Sequence, residues 1–149
     1  MRTSKIFLPD INVWLALSSR RHAFNPSATE WIGSVAPGQV LFCRITQMGL
    51  LRLLSNAQVM GPDVLSQREA WTAYRRLMAD ERIRFQNEPA GLEEVWRSLT
   101  WQLRRAPKSW TDAYLLAFAR SADLELVTFD KAVRQLDESR VRLLSSSGP

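Results

Sequence analysis

The period of the hydrophobic pattern switches repeatedly along the chain, from short continuous apolar runs to longer stretches with apolar positions three or four apart. Ile6-Phe7-Leu8 is a run stopped by Pro9-Asp10 and reads as a buried strand; Val13, Trp14, Leu15 and Leu17 then suit a short helix launched by a turn at Asp10. Asn25-Pro26 opens a second helix, a capping side chain ahead of a first-turn proline, with Ala28, Trp31, Ile32 and Val35 on one face until Pro37-Gly38. Val40 to Cys43 is a second strand. From Thr46 to Leu54 a helix carries the core stripe Leu50, Leu51 and Leu54, and Gly61-Pro62 reads as a loop. Ser66-Gln67-Arg68-Glu69 has the spacing of a capping box and opens a helix through Trp71, Tyr74, Leu77 and Met78.

Ile83 to Phe85 is a short strand, and Leu92 to Leu103 a helix. After the break at Pro107-Lys108 a helix starts at Ser109 and carries Tyr114, Leu115, Leu116, Phe118 and Ala119. Leu124 to Phe129 is a strand, Lys131 to Leu136 a helix and Val141 to Leu144 a last strand. Strands alternating with helices predict right-handed crossovers and an α/β fold, with a mostly parallel sheet of four to five strands covered on both faces. There is no repeat and no interior linker, so residues 1–144 form a single domain and 145–149 a frayed tail.

Composition narrows the function classes. Of 149 residues, 46% are hydrophobic and 23% charged, which are values of a globular chain rather than a disordered one. Twenty Lys and Arg against 15 Asp and Glu leave a net charge of +5, which suits nucleic acid or an acidic protein partner. One cysteine, Cys43, and one histidine, His22, exclude a disulfide framework and Cys- or His-rich metal sites. No signal-peptide layout opens the chain, and no apolar run approaches the roughly 18 residues that span a bilayer. The expectation is a protein of the reducing cytoplasm, with no membrane role.

In an open parallel sheet, ligands bind beyond the carboxyl ends of the strands. Asp10 and Asp130 each follow a strand directly, and Asp112 lies in the first turn of the helix that precedes the fourth strand. Asp is common at helix starts, so each one alone reads most simply as a cap. Placed together they define a cleft of like charges. Such a cluster calls for hard divalent cations, Mg²⁺ or Mn²⁺.

Four segments then look like successive motifs of PIN domains, and more narrowly of VapC-type ribonuclease toxins: residues 8–15 (LPDINVWL), 45–54 (ITQMGLLRLL), 111–115 (TDAYL) and 126–130 (LVTFD). The resemblance runs in order from about residue 5 to 144. It implies a three-layer α/β/α fold and a metal-dependent endoribonuclease, the toxin of a toxin–antitoxin pair. It also implies a cognate antitoxin, a homodimer, and a site at Asp10, Gln47, Asp112 and Asp130, with the three acids on the metal. Asn12 and Thr128 match supporting positions. The family places a glutamate where Gln47 stands; an amide can orient water or metal but brings no charge. That departure leaves a rival open, a catalytically impaired module that binds RNA or antitoxin. A doubly wound nucleotide-binding domain is weakened, because neither G-x-G-x-x-G nor a P-loop occurs.

The remaining candidates are weaker. Arg97, Arg104, Arg105 and Lys108 sit with Trp101 and Trp110 in an acid-free stretch between residues 97 and 110 that fits single-stranded RNA. For the two tryptophans a core position is the simpler reading. Trp14, Leu17, Trp31 and Ile32 offer a groove to a partner helix or a second copy, if left exposed. Arg75, Arg76, Arg82 and Arg84, beside Asp80 and Glu81, read as a solvated helix end, and His22 as a structural loop residue.

Overall fold

The computed structural model describes residues 5–102, 105–107 and 109–145. Five short strands, β1 (Phe7–Pro9), β2 (Val40–Phe42), β3 (Ile83–Phe85), β4 (Glu125–Thr128) and β5 (Val141–Leu143), form one sheet in the order β3-β2-β1-β4-β5. Every pairing is parallel, with Phe7 opposite both Val40 and Glu125. The fold is the expected α/β one. All carboxyl ends lie on one edge, and the strand order reverses between β1 and β4, which makes that junction the topological switch point.

Among the described residues eight helices connect and cover the strands: α1 (Ile11–Ser18), α2 (Asn25–Gly33), α3 (Arg44–Leu54), α4 (Ala57–Met60), α5 (Gln67–Met78), α6 (Leu92–Thr100), α7 (Ser109–Ala122) and α8 (Lys131–Leu136). Two apolar clusters lie on the two faces of the sheet. Val13, Trp14, Trp31, Phe42, Leu50 and Tyr74 belong to one, with Trp14 stacked on Phe42 at 3.6 Å between ring centroids. Leu8, Leu41, Leu115, Phe118 and Leu126 belong to the other, under α6 and α7. This alternation along β1 and β2 follows from the period of two in a strand.

Several details differ from the sequence-based expectation. Trp14, Trp31 and Ile32 are buried and Leu17 partly so, so they form core rather than a docking groove. The α1 and α2 helices cover each other's apolar faces. Asn25 does not cap α2: the N-cap is Phe24, without a side-chain bond, and Asn25 Nδ2 donates instead to the Ala16 carbonyl near the end of α1 at 2.7 Å. An amide carries both donor and acceptor, so it can serve an orphan carbonyl of one helix as well as an orphan N–H of the next. Around Gly61-Pro62 the chain is not a plain loop but a four-residue helix, α4, followed by a 3₁₀ turn at Gly61–Asp63. Gly61 there has φ +56°, which a side chain would strain. The box at the start of α5 forms as spaced: Glu69 N donates to Ser66 Oγ and Ser66 N to Glu69 Oε1. No helix among the described residues is long and apolar enough to cross a membrane.

One close approach sets how α3 lies against α1. A Cβ on Gly49 would overlap the end of the Ile11 side chain and come within 2.7 Å of Ile11 Cγ1. Gly49→Val is therefore expected to destabilise the chain by about 1–3 kcal/mol, since overpacking outweighs the small gain in helix propensity. An unchanged denaturation midpoint would show that α1 can move away freely.

Candidate active site

Two of the three acids are placed by strand-to-helix junctions. Asp10 leaves β1 in extended geometry and caps α1: its Oδ1 accepts from Val13 N at 3.0 Å, while its own N–H donates to Val127 O at 2.9 Å. Asp130 does the same after β4, its Oδ1 accepting from Ala132 N at 2.8 Å. Thr128, fully buried at the end of β4, joins them. Its hydroxyl donates to Asp10 Oδ2 at 2.5 Å and accepts from Asp130 N at 3.0 Å. Asp112 arrives from the other layer, in the first turn of α7.

The electrostatics bind the three acids into one site. The Asp10 carboxyl sits deep among protein atoms although the residue keeps some accessible surface. Burial pushes its pKa up to about 6 against the Thr128 and Val13 bonds that lower it, and Asp112 and Asp130 raise it further. Asp112 is also raised, by burial first and by Asp130 second. Among the described residues no three Asp, Glu, His or Cys side chains are placed so that as they stand they could hold a metal ion. Chemically the donors fit a hard divalent cation, because they are all carboxylates and their mutual repulsion would be relieved by positive charge. Asp112 also opens onto a hollow of about 570 Å³ between α7 and α8, lined by Pro107, Ser109, Ala132 and Leu136 among others.

The other sequence candidates divide. Asn12 is exposed in the first turn of α1, two residues from Asp10. Gln47 lies on the buried face of α3, where its Oε1 accepts from Arg44 Nη1 at 2.6 Å and its amide meets the Tyr74 hydroxyl. Arg97 is exposed and paired with Glu93, just upstream of the acid-free stretch, at 3.1 Å. Arg105 is exposed, whereas Arg104 and Lys108, like residues 146–149 of the tail, lie outside the described residues. Trp101 and Trp110 are 81% and 55% exposed, so neither takes the core position that the simpler reading gives them. Trp96 has the packing role instead, set edge-on against Trp110 and Tyr114 and donating from Nε1 to the Trp110 carbonyl. His22 is structural: its Nδ1 accepts from Phe24 N at 3.0 Å, and burial lowers its pKa.

Two features are not visible in the sequence pattern. One is the Thr128 hydroxyl as a direct bridge between two acids from different motifs. The other is Arg44, whose guanidinium stacks on Phe85 at 4.8 Å; a basic residue at a helix start carries no periodic signal.

A parallel five-stranded sheet with acids gathered at its switch point defines a class, and comparison with known proteins agrees with it. The PIN domain family model matches residues 7–139, and the chain belongs to that family. It is 43% identical over 145 residues to Ribonuclease VapC41 of Mycobacterium tuberculosis, covering 94% of this chain and 99% of that protein. Among solved structures it resembles VapC20 of Mycobacterium tuberculosis, described as a toxin that cleaves the sarcin-ricin loop, with TM-score 0.64 and 20% identity over 96% of this chain and 99% of that one. A toxin–antitoxin complex from Klebsiella pneumoniae gives 0.60 and 20% over 95% and 98%. At that identity the two structures speak for the fold alone.

Proposed function

We propose that this protein is a metal-dependent endoribonuclease, the toxin of a toxin–antitoxin pair, acting as a homodimer in the cytoplasm. The observation that carries the reading is the Thr128 bridge that sets Asp10 beside Asp130 at the β1–β4 switch point, with Asp112 close enough to raise the Asp10 pKa. The 43% identity to a protein named as a ribonuclease supports the substrate class. The antitoxin partner rests on the likeness to VapC-type toxins, which the 43% identical relative's name carries. Asp10, Asp112 and Asp130 would hold Mg²⁺ or Mn²⁺, which when bound activates water and steadies charge at a phosphate. The chain's own work is to keep these groups in place. Val13 N and Thr128 fix both oxygens of Asp10, so that its carboxylate presents a set orientation to the cleft. Ala132 N holds one oxygen of Asp130, and Thr128 holds its backbone N–H. Asn12, exposed in the first turn of α1, would orient substrate or water. Arg97, Arg104, Arg105 and Lys108, with the exposed Trp101 and Trp110, would contact the RNA strand.

The test is incubation of the purified protein with a pool of structured RNAs, in Mn²⁺, in Mg²⁺ and in chelator. Cleavage in either metal and none in chelator is the expected result. RNA binding without cleavage in any condition would favour the impaired module instead. Thr128→Val keeps the shape and removes both bonds, so cleavage is expected to fall about 10- to 100-fold, as for other groups that orient metal ligands. Activity within twofold of the parent would show that Asp10 and Asp130 hold their positions without it.

A further inference from the structure

Gln47 and Arg44 account for each other. Arg44 opens α3 directly after β2, at the same carboxyl edge as Asp10, and β2 is the immediate neighbour of β1 about 4.8 Å away. Its guanidinium is fixed twice, by the bond from Nη1 to Gln47 Oε1 at 2.6 Å and by stacking on the Phe85 ring. No carboxylate stands within ion-pair distance of it among the described residues. The nearby acid, Glu88, has its Oε1 engaged by the Tyr114 hydroxyl at 2.8 Å. Arg44 and Phe85 line a hollow of about 240 Å³ together with Gln86, Asn87, Glu88 and Tyr114. Tyr114 is two residues beyond Asp112 on α7 and on another face of it, so the start of that helix stands between this hollow and the acid.

A surface arginine normally loses much of its interaction energy to side-chain freedom; one held by an amide and an aromatic ring has its donors already aimed. We propose that Arg44 contacts a backbone phosphate of the RNA strand flanking the one cleaved, and that Gln47 is the residue that positions it. The neutral amide is what this task needs. A carboxylate at position 47 would pair with the guanidinium and cancel the charge offered to the phosphate.

This inference rests on RNA being the substrate, and the experiment separates the two. The full chain carrying Asp112→Asn is titrated with a labelled oligouridylate over a range of NaCl at constant magnesium. Each phosphate contact to a single strand adds about 0.7 to the slope of log affinity against log salt. Adding Arg44→Ala, an exposed position, is expected to lower that slope by about 0.7 and weaken binding several-fold, with Arg44→Lys keeping most of the slope. Gln47→Glu is expected to lower the slope as Arg44→Ala does, and the double variant no further. A slope unchanged by Arg44→Ala overturns the inference while leaving the ribonuclease reading intact. So does Gln47→Glu with an unchanged slope and tighter metal binding, which would return Gln47 to the acid site. Absence of oligouridylate binding by the Asp112→Asn chain itself overturns both.

Discussion

Asp112→Asn is expected to reduce metal-dependent RNA cleavage by at least about 10²-fold and to leave the fold intact. Asparagine keeps the shape of the side chain, so α7 retains its start, and only the charge is lost. That charge is one of three that face each other at the switch point, and Asp112 already feels Asp130 there. Removing a single electrostatic group from such a site typically costs about 10²–10³ in rate. The measurement is single-turnover cleavage in Mn²⁺ by parent and variant, with thermal melting alongside. Parent-like cleavage by the variant would move the chemistry away from these acids, or assign it to a contaminant.

The second large effect is on stability, in the opposite direction. Asp10 has a folded-state pKa of about 6, against an ordinary 3.8, because its carboxyl is buried and faces two like charges. The folded state therefore holds this proton more tightly than the unfolded chain does. The associated stability is complete below pH 3.8 and is lost as pH rises through 6, about 2–3 kcal/mol by neutrality. In chelator, Asp10→Asn is thus expected to melt higher than the parent at pH 7, with the gap closing toward pH 4. The asparagine can still cap α1, while its Nδ2 cannot accept from Thr128 as Oδ2 does, so the lost bond offsets part of the gain from removing the charge. Millimolar Mn²⁺ should reverse the order by stabilising the parent more than the variant, as any ligand of the native state does. A parent that is equally stable with and without the cation, and no less stable than the variant at pH 7, would mean that the three acids carry no stored repulsion.

Both predictions depend on placements that the chain's local pattern makes legible. The runs Ile6-Phe7-Leu8 and Leu126 to Phe129 end in acids, and helical spacing resumes directly after each. That pattern puts Asp10 and Asp130 at strand ends, because a buried strand needs apolar side chains on both faces and a helix start accepts a carboxylate. The Ser66–Glu69 box is equally local, requiring only a three-residue spacing. Motif order carries the family.

Side-chain direction is not legible in the same way. Gln47 occupies a position where the family has an acid, yet its amide is turned to Arg44 and Tyr74, and Tyr74 comes from α5. Trp110 is exposed where a core position is the simpler expectation, and Trp96 does the packing. Asn25 serves the helix behind it rather than the one ahead. In each case the deciding partner lies on another element, and periodicity within one segment carries no information about it.

What the sequence determined by itself is therefore the strands and the longer helices, their parallel arrangement and the acids at the strand ends, since these follow from local propensity and the hydrophobic period. Only the tertiary structure decided that β4 lies beside β1. That neighbourhood sets Thr128 on Asp10, brings α7 over both and buries a carboxylate that local sequence would leave in water. The raised pKa of Asp10 and the clamp on Arg44 both arise from contacts between residues far apart in the chain, where desolvation and partner geometry outweigh any preference of the residue itself.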